Sequence, residues 1–141
     1  MKSERGPIVL LAEDFEDARD LYRDYLEFSG FTVHTVANGR DAIAQARALM
    51  PDIILMDASM PVLDGWQATR EIKTHPTTKH IPVVALTAHA FEDAKQEARE
   101  VGCDAFVTKP CLPDDLVSQV RAVLGLKMKK RNTSSASGLE D

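Results

Sequence analysis

The stretch Ile8-Val9-Leu10-Leu11-Ala12-Glu13-Asp14 joins five consecutive apolar residues to two carboxylates that follow directly. A continuous apolar run of this length predicts a strand that is buried on both faces, as in a parallel sheet covered by helices. In such a sheet, chemistry collects beyond the carboxyl ends of the strands. Glu13 and Asp14 therefore mark the edge at which a functional site is expected.

Apolar runs recur four more times along the chain and predict four further strands. These runs are Phe31 to Val36, Ile53 to Met56, Val83 to Leu86 and Ala105 to Val107. The run from Phe31 alternates in part, which is typical of an edge strand, whereas the others are continuous. The sequence therefore predicts a five-stranded parallel sheet.

Apolar residues at helical spacing lie between and after these strands, and they predict five helices. The predicted buried faces are Phe15, Ala18, Tyr22, Tyr25 and Leu26; Ala42, Ile43, Ala46 and Leu49; Trp66, Thr69 and Ile72; Phe91, Ala94, Ala98 and Val101; and Leu116, Val120, Val123 and Leu124. Asn38 is a candidate helix cap, and Gly30, Pro51, Pro76, Gly102 and Gly125 mark expected helix ends. Right-handed crossovers then place helices on both faces of the sheet, in an α/β fold.

Composition excludes several classes of protein. The 141 residues suit one domain, and 44% hydrophobic with 28% charged residues suits a soluble chain with a buried core. A net charge of -5 argues against a general binder of nucleic-acid backbones, and no apolar run reaches the roughly 20 residues of a membrane span. Cys103 and Cys111 form neither a CxxC pair nor a disulfide framework, which favours a cytoplasmic location.

The charge is unevenly distributed along the chain. Residues 126–141 hold four basic and two acidic side chains, so this segment is basic and the rest of the chain is acidic. We expect a lead over residues 1–6, one domain over residues 7–125, and a flexible, Ser-rich tail over residues 126–141. Because so few residues follow 125, a stand-alone domain is expected.

Polar side chains stand at four predicted strand ends: Glu13-Asp14, Asp57, Thr87 and Lys109. Three neighbouring carboxylates repel one another, so they are expected to need a cation, and oxygen ligands suit Mg²⁺. A hydroxyl and an ammonium beside them could hold oxygens of a phosphoryl group. Asp57 is the candidate nucleophile, because a carboxylate can form an acyl phosphate.

Short motifs at successive strand ends identify a family. These motifs are Glu13-Asp14, Asp57, Met60-Pro61, Asp64-Gly65, Thr87-Ala88 and Lys109-Pro110. With them, over about residues 7 to 124, the chain resembles the response-regulator receiver domain of two-component signalling, in a stand-alone form similar to chemotaxis regulators. The resemblance implies a doubly wound, flavodoxin-like fold with strand order 2-1-3-4-5.

The resemblance also implies a role for each residue of the acidic site. Asp57 is expected to accept a phosphoryl group from a phosphohistidine on a sensor histidine kinase or a histidine phosphotransfer protein. Asp14 and Asp57 are expected to bind Mg²⁺ directly, Glu13 through a water, and Ser59 through its backbone carbonyl. Lys109 is expected to pair with Asp57 and then with the phosphoryl group, and Lys109-Pro110 resembles the cis peptide of the family.

A conformational switch is the last property that the resemblance implies. Thr87 is expected to bind a phosphoryl oxygen and to move together with Phe106, changing the face formed by the fourth helix, fifth strand and fifth helix. That face would signal to a downstream protein, in a monomer or a phosphorylation-dependent dimer. His89 and Ser59 are candidates for tuning the access of water to the phosphoryl group.

Several alternatives stay open from the sequence alone. Phe106 is also explained as a core residue, His89 as a surface residue, and Trp66 as packing beside the site. A phosphate-independent pseudo-receiver would keep only part of the site. An aspartyl-phosphate enzyme is disfavoured because Ser59 occupies the position of its second carboxylate, so we expect only self-phosphorylation and autodephosphorylation. An excised domain of a hybrid kinase would have the same sequence pattern.

Overall fold

Five strands and five helices alternate along the chain, as the sequence predicts. The computed structural model describes residues 6–88 and 92–136. The strands are β1 (Ile8–Ala12), β2 (Thr32–Val36), β3 (Ile53–Asp57), β4 (Val83–Thr87) and β5 (Ala105–Thr108). The helices are α1 (Glu16–Phe28), α2 (Gly39–Leu49), α3 (Gly65–Thr74), α4 (Glu92–Val101) and α5 (Pro113–Ala136).

All strand pairs are parallel, and the sheet order is β2-β1-β3-β4-β5. In this register Leu10 of β1 lies between His34 of β2 and Ile54 of β3. The order agrees with the one that the family resemblance implies. Because every strand runs in the same direction, the carboxyl ends of β1, β3, β4 and β5 lie along a single edge.

The side chains of the central strands alternate between two hydrophobic cores, one on each face of the sheet. One core packs against α1 and α5, and its members include Val9, Leu11, Leu26, Leu55, Leu86, Leu116 and Val120. The other packs against α2 and α3, and its members include Leu10, Ile43, Ile54, Met56, Ala68, Ile72 and Val83. Two covered faces explain why the central strands are continuously apolar.

Two predicted helix boundaries have clear local causes. The Asn38 side chain accepts a hydrogen bond from the backbone N–H of Asp41 at 2.8 Å, which caps α2. At the end of α1, Gly30 has a φ of 101°, and Phe31 donates its backbone N–H to the carbonyl of Leu26 at 3.1 Å. This is a Schellman ending, in which glycine adopts a left-handed conformation without strain.

The structure corrects three details of the predicted helices. Phe15 is 61% exposed and precedes α1 rather than packing beneath it, and Tyr25 is also exposed. Gly125 does not end α5, because the helix continues to Ala136. A glycine costs only about 1 kcal/mol inside a helix, and the residues after it include good helix formers. Phe91 lies outside the described residues.

No helix in the described part of the chain combines the length and the apolar character that a membrane crossing requires.

Candidate functional site

An open cleft of about 860 Å³ lies at the carboxyl edge of the sheet. Its walls come from the strand ends and from the adjoining parts of α3 and α4. Five residues that the sequence predicts at the site all line this cleft: Glu13, Asp14, Asp57, Thr87 and Lys109. The prediction that these strand ends meet in one place is therefore confirmed, whereas their chemical roles stay predictions.

Three carboxylates form the floor and one wall of the cleft. One oxygen from each of Glu13, Asp14 and Asp57 lies within 4.8 Å of the others. Glu13 is fully buried, Asp57 is buried to 5% exposure, and Asp14 is open to solvent. Such close negative charges are unfavourable without a compensating cation, and their oxygens are the ligands that hard divalent cations prefer.

Lys109 supplies the positive charge nearest to these carboxylates. Its Nζ lies 2.9 Å from Glu13 Oε1 and 3.5 Å from Asp57 Oδ2. The pairing expected with Asp57 is therefore present, but the shorter contact is with Glu13. Burial lowers the pKa of Lys109, but the attraction of the two carboxylates outweighs burial, so that its pKa is raised overall. Lys109 is therefore held in its charged form.

Asp57 is the last residue of β3, and its side chain enters the cleft from the floor. Its Oδ1 accepts a hydrogen bond from the backbone N–H of Ser59 at 3.1 Å. Burial, together with the neighbouring Glu13, raises the pKa of Asp57 to about 7. The loop after Asp57 brings the backbone at Gly65 close to the end of β3. A Cβ at position 65 would lie 2.0 Å from the Asp57 carbonyl oxygen. Glycine is thus required where α3 begins.

The loop between β1 and α1 presents Glu13 and Asp14 in different ways. Glu13 Oε2 accepts a hydrogen bond from the backbone N–H of Phe15 at 3.2 Å, so both of its oxygens have protein partners. Among the described residues, the Asp14 carboxylate has no hydrogen bond or ion pair. Asp14 and the partly engaged Asp57 thus offer the more available oxygens to a cation.

The predicted switch residues lie on β4 and β5. Thr87 ends β4 and is buried, and Phe106 on β5 is half-buried where it borders two surface grooves. The Lys109-Pro110 peptide is cis, as the resemblance implies. His89 lies outside the described residues, so its predicted tuning role is a prediction only.

Sequence reasoning missed parts of the cleft that come from helices. Asp93 and Glu97, one turn apart on α4, line the wall, and Trp66 of α3 lines it as expected. Arg19 of α1 was also missed, although it donates to the Glu13 carbonyl oxygen at 3.0 Å. A basic residue one turn into the helix after an acidic pair is the only sequence signal that could have identified Arg19.

Comparison with known proteins agrees with this geometry. Residues 9–121 match the model of the response regulator receiver domain. The chain is 35% identical to the polar-differentiation response regulator DivK of Brucella anthropi over 117 residues, covering 83% of this chain and 95% of DivK.

Solved structures give the same assignment. Chemotaxis protein CheY4 of Vibrio cholerae superimposes with a TM-score of 0.80 at 30% identity, covering 84% of this chain and 98% of CheY4. The receiver domain of a sensor histidine kinase from Pseudomonas aeruginosa, solved with magnesium coordinated in its active site cleft, gives 0.79 at 32% identity, covering 85% and 98% of the two chains. The chain therefore belongs to the response regulator receiver domain family, whose members are signalling modules rather than conventional enzymes.

Proposed function

We propose that Asp57 accepts a phosphoryl group from the phosphohistidine of a histidine kinase or histidine phosphotransfer protein, within a signalling unit that spans residues 7–125. The observation that carries this proposal is the meeting of Glu13, Asp14 and Asp57 with Lys109 in one open cleft. Structural carboxylates are usually paired one to one, whereas this cleft holds an excess of negative charge beside a candidate nucleophile.

The transfer exchanges one bond to phosphorus for another. An Asp57 carboxylate oxygen attacks the phosphorus atom, the new O–P bond forms, and the P–N bond to the donor imidazole breaks. The imidazole leaves with the electron pair of that bond and takes a proton. The pKa of Asp57 is raised to about 7, in part by the negative charge of Glu13. Neutralisation of that charge lowers the pKa and so favours the ionised, nucleophilic form of Asp57.

The donor set fits Mg²⁺, since it consists of oxygens on two or more carboxylates facing an open cleft. We assign direct contacts to Asp14 and Asp57, a contact through water to Glu13, and the remaining protein ligand to the backbone carbonyl of Ser59. Mg²⁺ held by these residues would neutralise charge between the anionic nucleophile and the anionic donor. The Pseudomonas aeruginosa receiver domain, with its coordinated magnesium, supports this assignment.

Lys109 and Thr87 complete the proposed chemistry. Lys109 moves part of its attraction from Glu13 and Asp57 to the incoming phosphoryl oxygens, and the Thr87 hydroxyl donates to one of them. Phe106 then changes its packing between the two grooves that it borders. The face formed by α4, β5 and α5 carries the signal to a downstream protein, in a monomer or a phosphorylation-dependent dimer.

Labelling with a small phosphodonor tests the phosphoacceptor. Incubation of the protein with Mg²⁺ and acetyl phosphate should add one phosphoryl group by intact mass, and Asp57→Asn should abolish the addition. Asp24→Asn, which changes an exposed carboxylate on α1, is the matched control and should label normally. Equal labelling of the Asp57→Asn variant would falsify the assignment of the phosphoacceptor. Amide resonances of Thr87 and Phe106 that stay unshifted in the phosphorylated protein would instead refute the proposed switch.

A phosphate-independent pseudo-receiver is the second candidate. It is less favoured because all five residues of the proposed site are present and share one cleft. Absence of labelling in the folded, Mg²⁺-loaded protein would favour this alternative.

A further inference from the structure

Arg19 reaches back from α1 to the loop that carries the acidic pair. Its Nη1 donates to the carbonyl oxygen of Glu13 at 3.0 Å and makes a longer contact of 3.5 Å with that of Asp14. The first turn of α1 has no side-chain cap, since Phe15 occupies the cap position. Arg19 does not replace that cap, because a guanidinium only donates hydrogen bonds, but it ties the first turn of α1 to the carbonyl oxygens of the preceding loop.

The positive charge of Arg19 does not explain how this residue would support a cation site. Its guanidinium forms no ion pair with any carboxylate in the part of the chain that the structure describes. A positive charge near a cation site disfavours cation binding. The contacts of Arg19 are instead with backbone carbonyls, so they restrain the path of the loop rather than neutralise its side chains.

The loop path matters most for Asp14. The side-chain carboxylate of Glu13 is held by partners other than Arg19, because Lys109 and the Phe15 amide bind its two oxygens. The exposed Asp14 carboxylate has no partner among the described residues, so its position depends on the backbone of the loop. A displacement of that backbone would move Asp14 away from Asp57.

We propose that Arg19 is a positioning residue that orders the loop between β1 and α1 and thereby strengthens the binding of Mg²⁺ by Asp14 and Asp57. This inference rests on the proposed function, because it presupposes the magnesium site. Arg19 is not among the residues that line the cleft. Its effect passes through the carbonyl oxygens of Glu13 and Asp14.

Positioning and charge make opposite predictions for the same substitution. If Arg19 acted through its charge alone, Arg19→Gln would remove a repulsive cation and strengthen Mg²⁺ binding. If Arg19 orders the loop, the same change weakens binding although the site becomes more negative. Because only part of the stabilisation from the Arg19–Glu13 hydrogen bond is transmitted to the metal site, we expect an increase of about five-fold in Kd.

Trp66 makes the test direct, because it is the single tryptophan of the chain and lines the cleft. Mg²⁺ is titrated at constant ionic strength while Trp66 fluorescence is followed, and amide shifts provide Kd if emission is unchanged. Arg19→Gln should raise Kd about five-fold, and Arg19→Lys, which keeps the charge but loses the planar fork, should give an intermediate value. Arg23→Gln is the control, since Arg23 pairs with Asp20 and Asp24 instead, and it should bind Mg²⁺ like the unmodified protein.

A second measurement uses the metal-free protein. Hydrogen exchange at the amides of Asp14 and Phe15 should be faster in Arg19→Gln than in Arg23→Gln. If the Gln variant does not fold, Arg19→Lys supports or refutes the proposal by the same two readouts. An unchanged or lower Kd in the Arg19 variants overturns the positioning role while leaving the magnesium site intact. No Mg²⁺ binding by the unmodified protein overturns both proposals.

Discussion

Two lysine–carboxylate clusters lie at opposite edges of the same sheet and differ in how completely their charges are matched. At the amino edge, Lys73 of α3 pairs with Asp104 at 2.9 Å and also donates to the carbonyl oxygens of Ile81 at 2.7 Å and Lys79 at 3.2 Å. Asp104 in turn accepts from the backbone N–H of Val83 at 2.8 Å. One cation thus meets one anion, and the ammonium has an acceptor for each of its three donors.

At the carboxyl edge, one ammonium faces three carboxylates. Lys109 contacts Glu13 and Asp57, and Asp14 lies beside them without a protein partner among the described residues. The comparison teaches that a partly buried lysine paired with a carboxylate does not by itself identify a functional site. The informative feature is negative charge that the protein leaves uncompensated, because such charge has to be balanced by something that binds.

Removal of Lys109 should have the largest effect on chemistry. Lys109→Ala takes away the one ammonium that, among residues 6–88 and 92–136, contacts Glu13 and Asp57, so we expect acetyl phosphate labelling of folded protein to slow about 100-fold. Lys73→Met should label at the normal rate under conditions where both variants are folded. If labelling slows equally in Lys109→Ala and Lys73→Met, the difference in charge between the two clusters does not correspond to a difference in function.

Removal of Lys73 should affect stability instead. Lys73→Met keeps an aliphatic stem but leaves Asp104 and two carbonyl oxygens without their ammonium donor, so the free energy of unfolding should fall by about 2 kcal/mol. Urea denaturation measures this change. Lys79→Met, at an exposed neighbouring position, should alter stability by less than about 0.5 kcal/mol. If Lys73→Met is as stable as Lys79→Met, the amino-edge cluster does not stabilise the fold.

Much of the fold could be predicted because local and long-range signals agree. The apolar runs at Ile8 and Ile53 identify strands covered on both faces, and Asn38 and Gly30 mark helix boundaries by their own chemistry. The meeting of Asp57 with Glu13 and Lys109 also follows from the sequence, since parallel strands bring their carboxyl ends to one edge. Strand order required the family resemblance, because spacing alone does not specify which strands are neighbours.

The parts that sequence reasoning missed depend on the direction of long side chains. Whether Lys109 lies closer to Glu13 or to Asp57 is decided by packing, and so is the contact of Arg19 with carbonyl oxygens. The spacing of Phe15 to Ala18 and Tyr22 predicts that it lies on the buried face, but Phe15 precedes the helix and faces solvent. Helical periodicity identifies a face but does not show where the helix begins.

The last prediction concerns the pH dependence of stability, and its expected effect is the smallest. It tests whether the negative charge around Asp57 lacks a compensating cation. The pKa of Asp57 is raised from an ordinary value of 3.8 to about 7 by burial and by Glu13. Between these values the folded, metal-free protein holds a proton on Asp57 that the unfolded chain has released, so the contribution of Asp57 to stability falls as pH rises.

Asp57→Asn lacks this titration. Relative to the unmodified protein, it should therefore gain at least about 1 kcal/mol of stability between about pH 5 and about pH 8, because most of the proton release from folded Asp57 falls in this range. Urea denaturation in the presence of a chelator measures the difference, and Mg²⁺ should reduce it, since the cation would favour the carboxylate over the amide. A stability difference that is the same at both pH values would mean that Glu13 and Asp57 are already balanced by Lys109, and the contrast between the two lysine clusters would then be one of position rather than of charge.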